Sequence, residues 1–428
     1  MTTTIAQIAT AMQTLLTEEA NRLARATGFI QRERKISGAS FAQTLVFGWL
    51  AQPDSSLEAL SQGFAWTQGR SLSRQGLSQR FTARGAHFLE CLLRAVVAER
   101  VQGMRANVGC LSRFEGVYLE DSTGITLPAL LASVWSGVQG AGLKIGVSWE
   151  LQQGTLVELE LCPARQHDQK LELAQRCLPA GALRVRDLGF FDLDQLAQQD
   201  QQGYYISRYK GGTAVYDEPG KRLDLVATLS RQAQPTCRLR VQMGHGQRLS
   251  CWLVAQRVPA AVWQQRRQRL KDWERKHGDS ASPERYALCQ WTILLTNVPP
   301  DWLNDSQVQQ VYGLRWQIEL LFKLWKSIHQ VDDWLSANPW RILCELYAKL
   351  IAVVFQHWCQ IAGGCHALAH SLTRSTHPFA RLAWLLAGVF EQHSLLVAAL
   401  ERLLCCLRTS GRISRSRSSM PSFQRLEP

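Results

Sequence analysis

Four side chains with chemistry to offer fall close together: Tyr312, Arg315, Glu319 and Lys326, spaced Tyr-x2-Arg-x3-Glu-x6-Lys. The stretch around them has no proline and one glycine near its start, so its pattern predicts a single helix. At about 100° per residue, the other three side chains lie within roughly 60° of Tyr312. Leu314, Ile318, Leu321, Leu324 and Trp325 lie on the opposite side. One face therefore buries, and the other presents a carboxylate between cations and a phenol. Carboxylate oxygens suit hard divalent cations, and guanidinium and ammonium groups suit phosphate oxygens. Arg315 and Glu319 alone, at i,i+4, make an ordinary solvated ion pair worth a few tenths of a kcal/mol. The complete spacing is rarer, arising by chance in about one chain in a thousand.

Two more acids stand where strands are expected to end. Residues 116–121 form a β-rich run closed by Asp121, and residues 183–187 form another closed by Asp187. Strands at 143–151 and 156–161 lie between them, the latter alternating Val157, Leu159 and Leu161 with Glu158 and Glu160. A helix over 169–177 precedes the second acid. This order predicts an α/β sheet of mixed pairing with both acids at strand ends, where open sheets place ligands. Glu120 should face away from Asp121. Like Glu115, Asp192 and Asp194, it is expected to be solvated or capping.

Around this core the texture changes. Residues 1–110 read as helical, with short helices at 56–62 and 73–82 across a turn holding Gly63 and Gly69. Ser73 is placed to cap the second, which offers Arg74 and Arg80 as a recognition helix would; an ordinary solvated helix fits equally. Residues 211–297 read as a mainly β insertion, with strands at 215–216, 223–229, 237–242, 249–255 and 291–296 and a charged helix at 261–277. The catalytic part thus spans 111–330. Residues 331–428 are helical with a Ser/Arg-rich tail from 408. Their apolar helices, 340–358 and 380–407, either pair two protomers or pack a core.

These motifs resemble a known family. The Tyr312, Arg315, Glu319, Lys326 spacing is similar to the signature of the insertion-sequence-4 family of bacterial transposases. Tyr118-Leu-Glu-Asp121-Ser-Thr-Gly resembles its first acidic motif and Val185-Arg-Asp187-Leu-Gly-Phe-Phe its second. The 132 positions between Asp187 and Glu319 match the β-rich insertion found there in the family. The resemblance covers about residues 110–360. It implies a ribonuclease H-like, retroviral-integrase-like core interrupted by that insertion, with an Asp-Asp-Glu triad of Asp121, Asp187 and Glu319. Two Mg²⁺ ions, or Mn²⁺ in their place, about 3.5–4 Å apart would serve phosphodiester cleavage. Arg315, Lys326 and Tyr312 would grip phosphates, with Lys323 also facing DNA and Lys326 touching a hairpinned strand. Trp291, 28 residues before Glu319, stands where family members flip a base, and Trp316 flanks the polar stripe. Core packing remains the alternative for both indoles. Implied partners are duplex DNA (terminal inverted repeats and target) and a second copy of the chain. A nuclease without strand transfer and a transposase-derived DNA-binding protein are the rival readings.

Bulk properties agree with a polyanionic partner. Against 35 Asp+Glu stand 48 Lys+Arg, giving +13 and a pI near 9.4. A chain of 428 residues is expected to form two or three domains. The twelve cysteines include no CxxC pair, so reduced thiols are expected. Neither a signal peptide nor a membrane span is read, which points to a bacterial cytoplasmic protein that joins the nucleoid when bound to DNA. Cys365, His366 and His370 offer zinc-capable atoms without the remaining pattern of a zinc site. His167 and His329 receive no role. No phosphate-cradling or dinucleotide-binding glycine pattern occurs, so neither ATP nor NAD is implied.

Overall fold

Hydroxyl side chains start the N-terminal helices. In a computed structural model, which describes residues 2–32, 35–106, 108–246, 248–364 and 375–410, these are α1 (Ile5–Thr14), α2 (Ala20–Ala26), α3 (Gly38–Ala51), α4 (Leu57–Gln68), α5 (Arg74–Ser78) and α6 (Ala83–Ala98). Thr4, Ser37, Ser56, Ser73 and Thr82 each accept an N–H from three residues on, so five of these six helices begin with a satisfied cap. The strands β1 (Val117–Leu127), β2 (Ala141–Glu150) and β3 (Thr155–Pro163) follow, then α7 (Glu172–Gln175), β4 (Leu183–Arg186), α8 (Leu193–Asp200) and β5 (Tyr204–Arg208). Next come β6 (Val215–Tyr216), α9 (Leu225–Ser230), β7 (Thr236–Met243), β8 (Leu249–Arg257), α10 (Ala260–His277), α11 (Pro283–Leu288) and β9 (Trp291–Thr296). The remainder is helical: α12 (Asp305–Gly313), α13 (Trp316–Ser327), α14 (Pro339–Ala362), α15 (His377–Val389) and α16 (His393–Ser410).

The fold is mixed α/β and divides into two compact units. The first gathers the described residues of Met1–Ala106, Ser122–Gln166 and Gln317–Ser419, so the helices expected as separate terminal regions share one body. Its axis is α14, which packs against α3 and α6, while α15 lies on α3 and α16 on α1. Helix α14 is long and apolar enough to cross a membrane, yet its apolar window is wholly buried within this unit. Of the two uses expected for the apolar C-terminal helices, packing a core is what α14 does. The second of them is two helices, α15 and α16, separated by a turn at Glu391. Gly63 lies inside α4 rather than in the expected turn, and its missing side chain makes room for Trp384, whose ring a Cβ there would meet at 1.9 Å. Gly69 ends the helix in the left-handed region, at φ 61°. Strands run β3-β2-β1 in this unit.

The second unit comprises Asn107–Asp121 and His167–Trp316, with the order β1-β4-β5-β9-β8-β7-β6. Strand β4 pairs in parallel with both β1 and β5, whereas β5–β9, β9–β8, β8–β7 and β7–β6 are antiparallel, giving the mixed pairing expected. Several sequence expectations change here. Residues 223–229 form no strand: Asp224 caps Ala227 N–H at 2.9 Å and starts α9, a local hydrogen bond outweighing the apolar pattern. The helix at 169–177 shrinks to a 3₁₀ turn and the single turn α7. Strand β5 went unread. Strand β1 continues past Asp121 to Leu127, carried by Thr123, Ile125 and Thr126. All eleven described cysteines are free thiols.

Candidate active site

The aspartates are placed by strand register. Along the parallel β1–β4 pair, Val117 stands against Leu183 and Glu120 against Arg186. The next residue of each chain is Asp121 and Asp187, which therefore leave the paired segment at the same end, on strands spaced about 4.8 Å apart. Asp121 sits mid-strand rather than at a strand end, but at the point where pairing with β4 stops.

Alternation sends Glu120 to the other face, and there it is not solvated. It is 1% exposed, with Arg186 Nε at 2.5 Å and Arg184 Nε at 3.5 Å. The Arg186 guanidinium also donates to the carbonyl of Ala174 (2.7 Å) and to Gln195 Oε1 (2.8 Å). Burial pulls the Arg184 pKa down to about 10, against the pull of Glu120. This buried cluster was missed in the sequence. Its signal was present, since two arginines in the short strand Leu-Arg-Val-Arg are tolerable only if partnered.

Around the aspartates the second unit gathers two of the remaining motif residues. Arg315 Nη1 donates to Asp121 Oδ2 at 2.8 Å. The same guanidinium lies 5.9 Å from the ring centre of Tyr312. Burial pushes the Tyr312 phenol above its usual pKa, the Asp187 charge adds to this, and Arg315 opposes it. Asp187 turns one oxygen to the N–H of Leu188, capping a short 3₁₀ turn. Two carboxylates beside each other, offering only oxygen donors, fit a hard divalent cation.

The motif does not ride one helix. Helix α12 stops at Gly313, and Leu314 and Arg315 bond back three residues, to Val311 (3.0 Å) and Tyr312 (3.1 Å), before α13 begins. Glycine disfavours a helix interior by about 1 kcal/mol relative to alanine, and the tightened turn is the result. The apolar side reads as expected, with Leu314, Ile318, Leu321, Leu324 and Trp325 buried.

In the first unit, Glu319 lies half-buried in the first turn of α13, and Lys326 Nζ donates to the Gly124 carbonyl at 2.7 Å. Lys323 is exposed. Trp316, at the head of α13, is 54% exposed. Trp291 is 6% exposed in the core of the second unit beside Ile293 and Leu253, its ring covered by Arg257 at 4.9 Å. Of the two readings held for it, packing is the one seen. Arg74 is exposed on α5, and Arg80 lines a cleft with Arg32 and Arg84. Among the described residues, no three His, Cys, Asp or Glu side chains cluster as metal ligands would. Cys365, His366 and His370, like the tail from 411 onward, lie outside the described residues.

Comparison with known proteins speaks to the same segments. A family profile described as the transposase DDE domain matches residues 113–355, which include Asp121, Asp187 and the Tyr-Arg-Glu-Lys motif. The transposase for insertion sequence element IS231F of Bacillus thuringiensis subsp. israelensis is 31% identical over 77% of this chain and 75% of its own length. The IS1151 transposase of Clostridium perfringens is 24% identical over 78% and 76%, and the IS421 transposase of Escherichia coli 25% identical over 78% and 88%. The chain belongs to the DDE-domain transposase family, among the transposases of bacterial insertion sequences.

Proposed function

We propose that this chain cuts and joins the ends of its own insertion sequence by divalent-metal-dependent phosphodiester cleavage and strand transfer. The observation that carries this reading is Asp121 beside Asp187 at the same end of β1 and β4, with Arg315 on Asp121. We read β1–β5 as the ribonuclease H-like core and residues 211–297 as its β insertion. The helical residues 1–110 bind element ends, and the 331–428 region completes the protein.

Asp121, Asp187 and Glu319 would hold Mg²⁺, with Mn²⁺ able to replace it. When bound, two such ions neutralise charge on the attacking and leaving oxygens of an in-line displacement. The chain's own groups supply the rest. Arg315 presents a planar fork matched to a phosphate's oxygens and exchanges Asp121 for the substrate. Tyr312, a phenol protonated at neutral pH and pushed further up by burial, donates a hydrogen bond to the same phosphate. Lys326 adds a point charge for a strand held during hairpin formation, the intermediate proposed here for a cut-and-paste route. Cutting both element ends in one complex calls for two copies of the chain, so a homodimer on the terminal inverted repeats and target DNA follows from the reaction.

Labelled element ends incubated with the protein and Mg²⁺ test the reading. Hairpinned and joined products are expected; nicks alone would leave only a nuclease. Asp121→Asn, Asp187→Asn and Glu319→Gln should each lose several kcal/mol of transition-state stabilisation, about a hundredfold or more in rate, with duplex affinity kept. An acid whose replacement leaves the rate intact is not a ligand.

A further inference from the structure

The β insertion carries more charge than its share of the chain. Residues 211–297 hold 14 Lys+Arg against 7 Asp+Glu, a net +7 out of +13. The excess is densest on α10, with six cations (Arg266, Arg267, Arg269, Lys271, Arg275, Lys276) against Asp272 and Glu274. Solvated helices usually balance the two signs for i,i+3 and i,i+4 pairing; this one carries three cations for each acid.

Helix α10 is also spare as a core element. Leu270 is its one buried residue, and Arg266 ties it to β9 through the Trp291 carbonyl (2.8 Å) and Thr292 Oγ1 (2.9 Å). Its two acids are engaged locally. Glu274 accepts from the Tyr286 hydroxyl at 2.8 Å and from Ala281 N–H at 2.7 Å, and Asp272 accepts from Gln268 at 3.0 Å and from Arg275. Aromatic rings brace the helix: Arg267 lies 5.4 Å from Trp263, and Arg285 of α11 lies 4.8 Å from Trp273. Arg269, Lys271 and Lys276 are exposed, and among the described residues none of the three is held in an ion pair, although the Lys271 charge reaches Glu274. Eighteen helical residues extend about 27 Å.

From this we infer that α10 is a phosphate-backbone grip for duplex DNA, separate from the residues proposed to act at the cut. Charge complementarity selects the occupant, since exposed cations fixed along one rigid helix, with Arg269 and Lys276 about 20° apart and Lys271 at the far edge of the solvent face, gain most from a dense polyanion whose counterions they release. Long exposed side chains meeting phosphates position a duplex without reading its bases. The inference rests on the reading of the chain as a DNA-acting transposase.

The test is equilibrium binding of the full chain to two duplexes of unrelated sequence, without divalent metal, between 50 and 200 mM salt. Each phosphate contact contributes about 0.9 to the slope of log affinity against log salt. The triple variant Arg269→Gln, Lys271→Gln, Lys276→Gln should lower that slope by roughly 2 to 3 for both duplexes. A control with the same charge change on exposed α15 and α16 positions, Arg381→Gln, Arg402→Gln, Arg408→Gln, should leave it unchanged. An unaltered slope in the α10 variant, an equal fall in the control, or a loss confined to one sequence overturns the inference. Lysine labelling of the unaltered protein gives an independent reading, in which duplex should protect Lys271 and Lys276, and equal labelling with and without DNA refutes it. A wild-type protein that binds no duplex would sink the functional reading as well. One that binds and cleaves while the α10 variant matches it sinks this inference alone.

Discussion

Removing the Glu120 carboxylate should loosen the strand pair that carries both aspartates. Glu120 is 1% exposed and sits between two buried guanidinium groups, so Glu120→Ala leaves two cations without their counter-charge. Breaking a buried ion pair by deleting one partner costs about 3–5 kcal/mol. Arg186 keeps the Ala174 carbonyl and Gln195, which softens its loss, whereas among the described residues Arg184 retains the Arg176 carbonyl alone. The lower part of that range, about 3 kcal/mol, is therefore expected. Hydrogen exchange reads the cost where it falls: at roughly 1.4 kcal/mol per factor of ten, amide protection in residues 117–120 and 183–186 should drop about a hundredfold. Glu120→Gln should lie between, its amide oxygen still accepting from Arg186 but carrying no charge. A drop below about fivefold in the alanine variant would refute the argument that this cluster pins the register. So would a drop spread evenly over both units.

The two tryptophans should separate by assay. Trp316→Ala removes an exposed ring, so duplex affinity should fall by about 1–3 kcal/mol at unchanged stability. Trp291→Ala opens the core of the second unit and should cost about 3–5 kcal/mol of stability, measured by denaturant unfolding. The opposite pattern would reverse their roles. His329 should make the protein acid-sensitive. Burial, with Lys349 adding, lowers its pKa from 6.5 to about 4. The unfolded ring binds a proton from about pH 6.5 and the folded one only near 4, so this stability is complete above pH 6.5 and is lost as pH falls to 4. The loss is about 3 kcal/mol. Denaturation midpoints should fall less steeply over that window in His329→Asn than in wild type, and parallel curves would contradict the assignment.

Much of the candidate site was legible in the linear chain. Residue type and spacing singled out Asp121, Asp187 and the Tyr-Arg-Glu-Lys motif, because a cation-binding carboxylate and a phosphate-binding guanidinium are matters of side-chain chemistry. Caps were legible too: Ser73 starts α5 by a hydrogen bond three residues long. Local apolar alternation located β2, β3, β7, β8 and β9 for the same reason, since each pattern is complete within its own strand.

What distant residues impose was hidden. Whether Glu120 meets water or two arginines depends on β4, which pairs with β1 sixty-six positions later. Gly63 reads as a turn former until Trp384 occupies the space its side chain would need. Trp291 and Trp316 are the same residue type, and only packing made one a core ring and the other an exposed one. Which side chains could bind metal or phosphate, and where β2, β3, β7, β8, β9 and the cap of α5 lie, follow from chemistry and contacts a few residues long, so the chain order alone carries them. Tertiary structure alone decided which charges are buried and which face water, because burial is a property of neighbours that the chain order does not list.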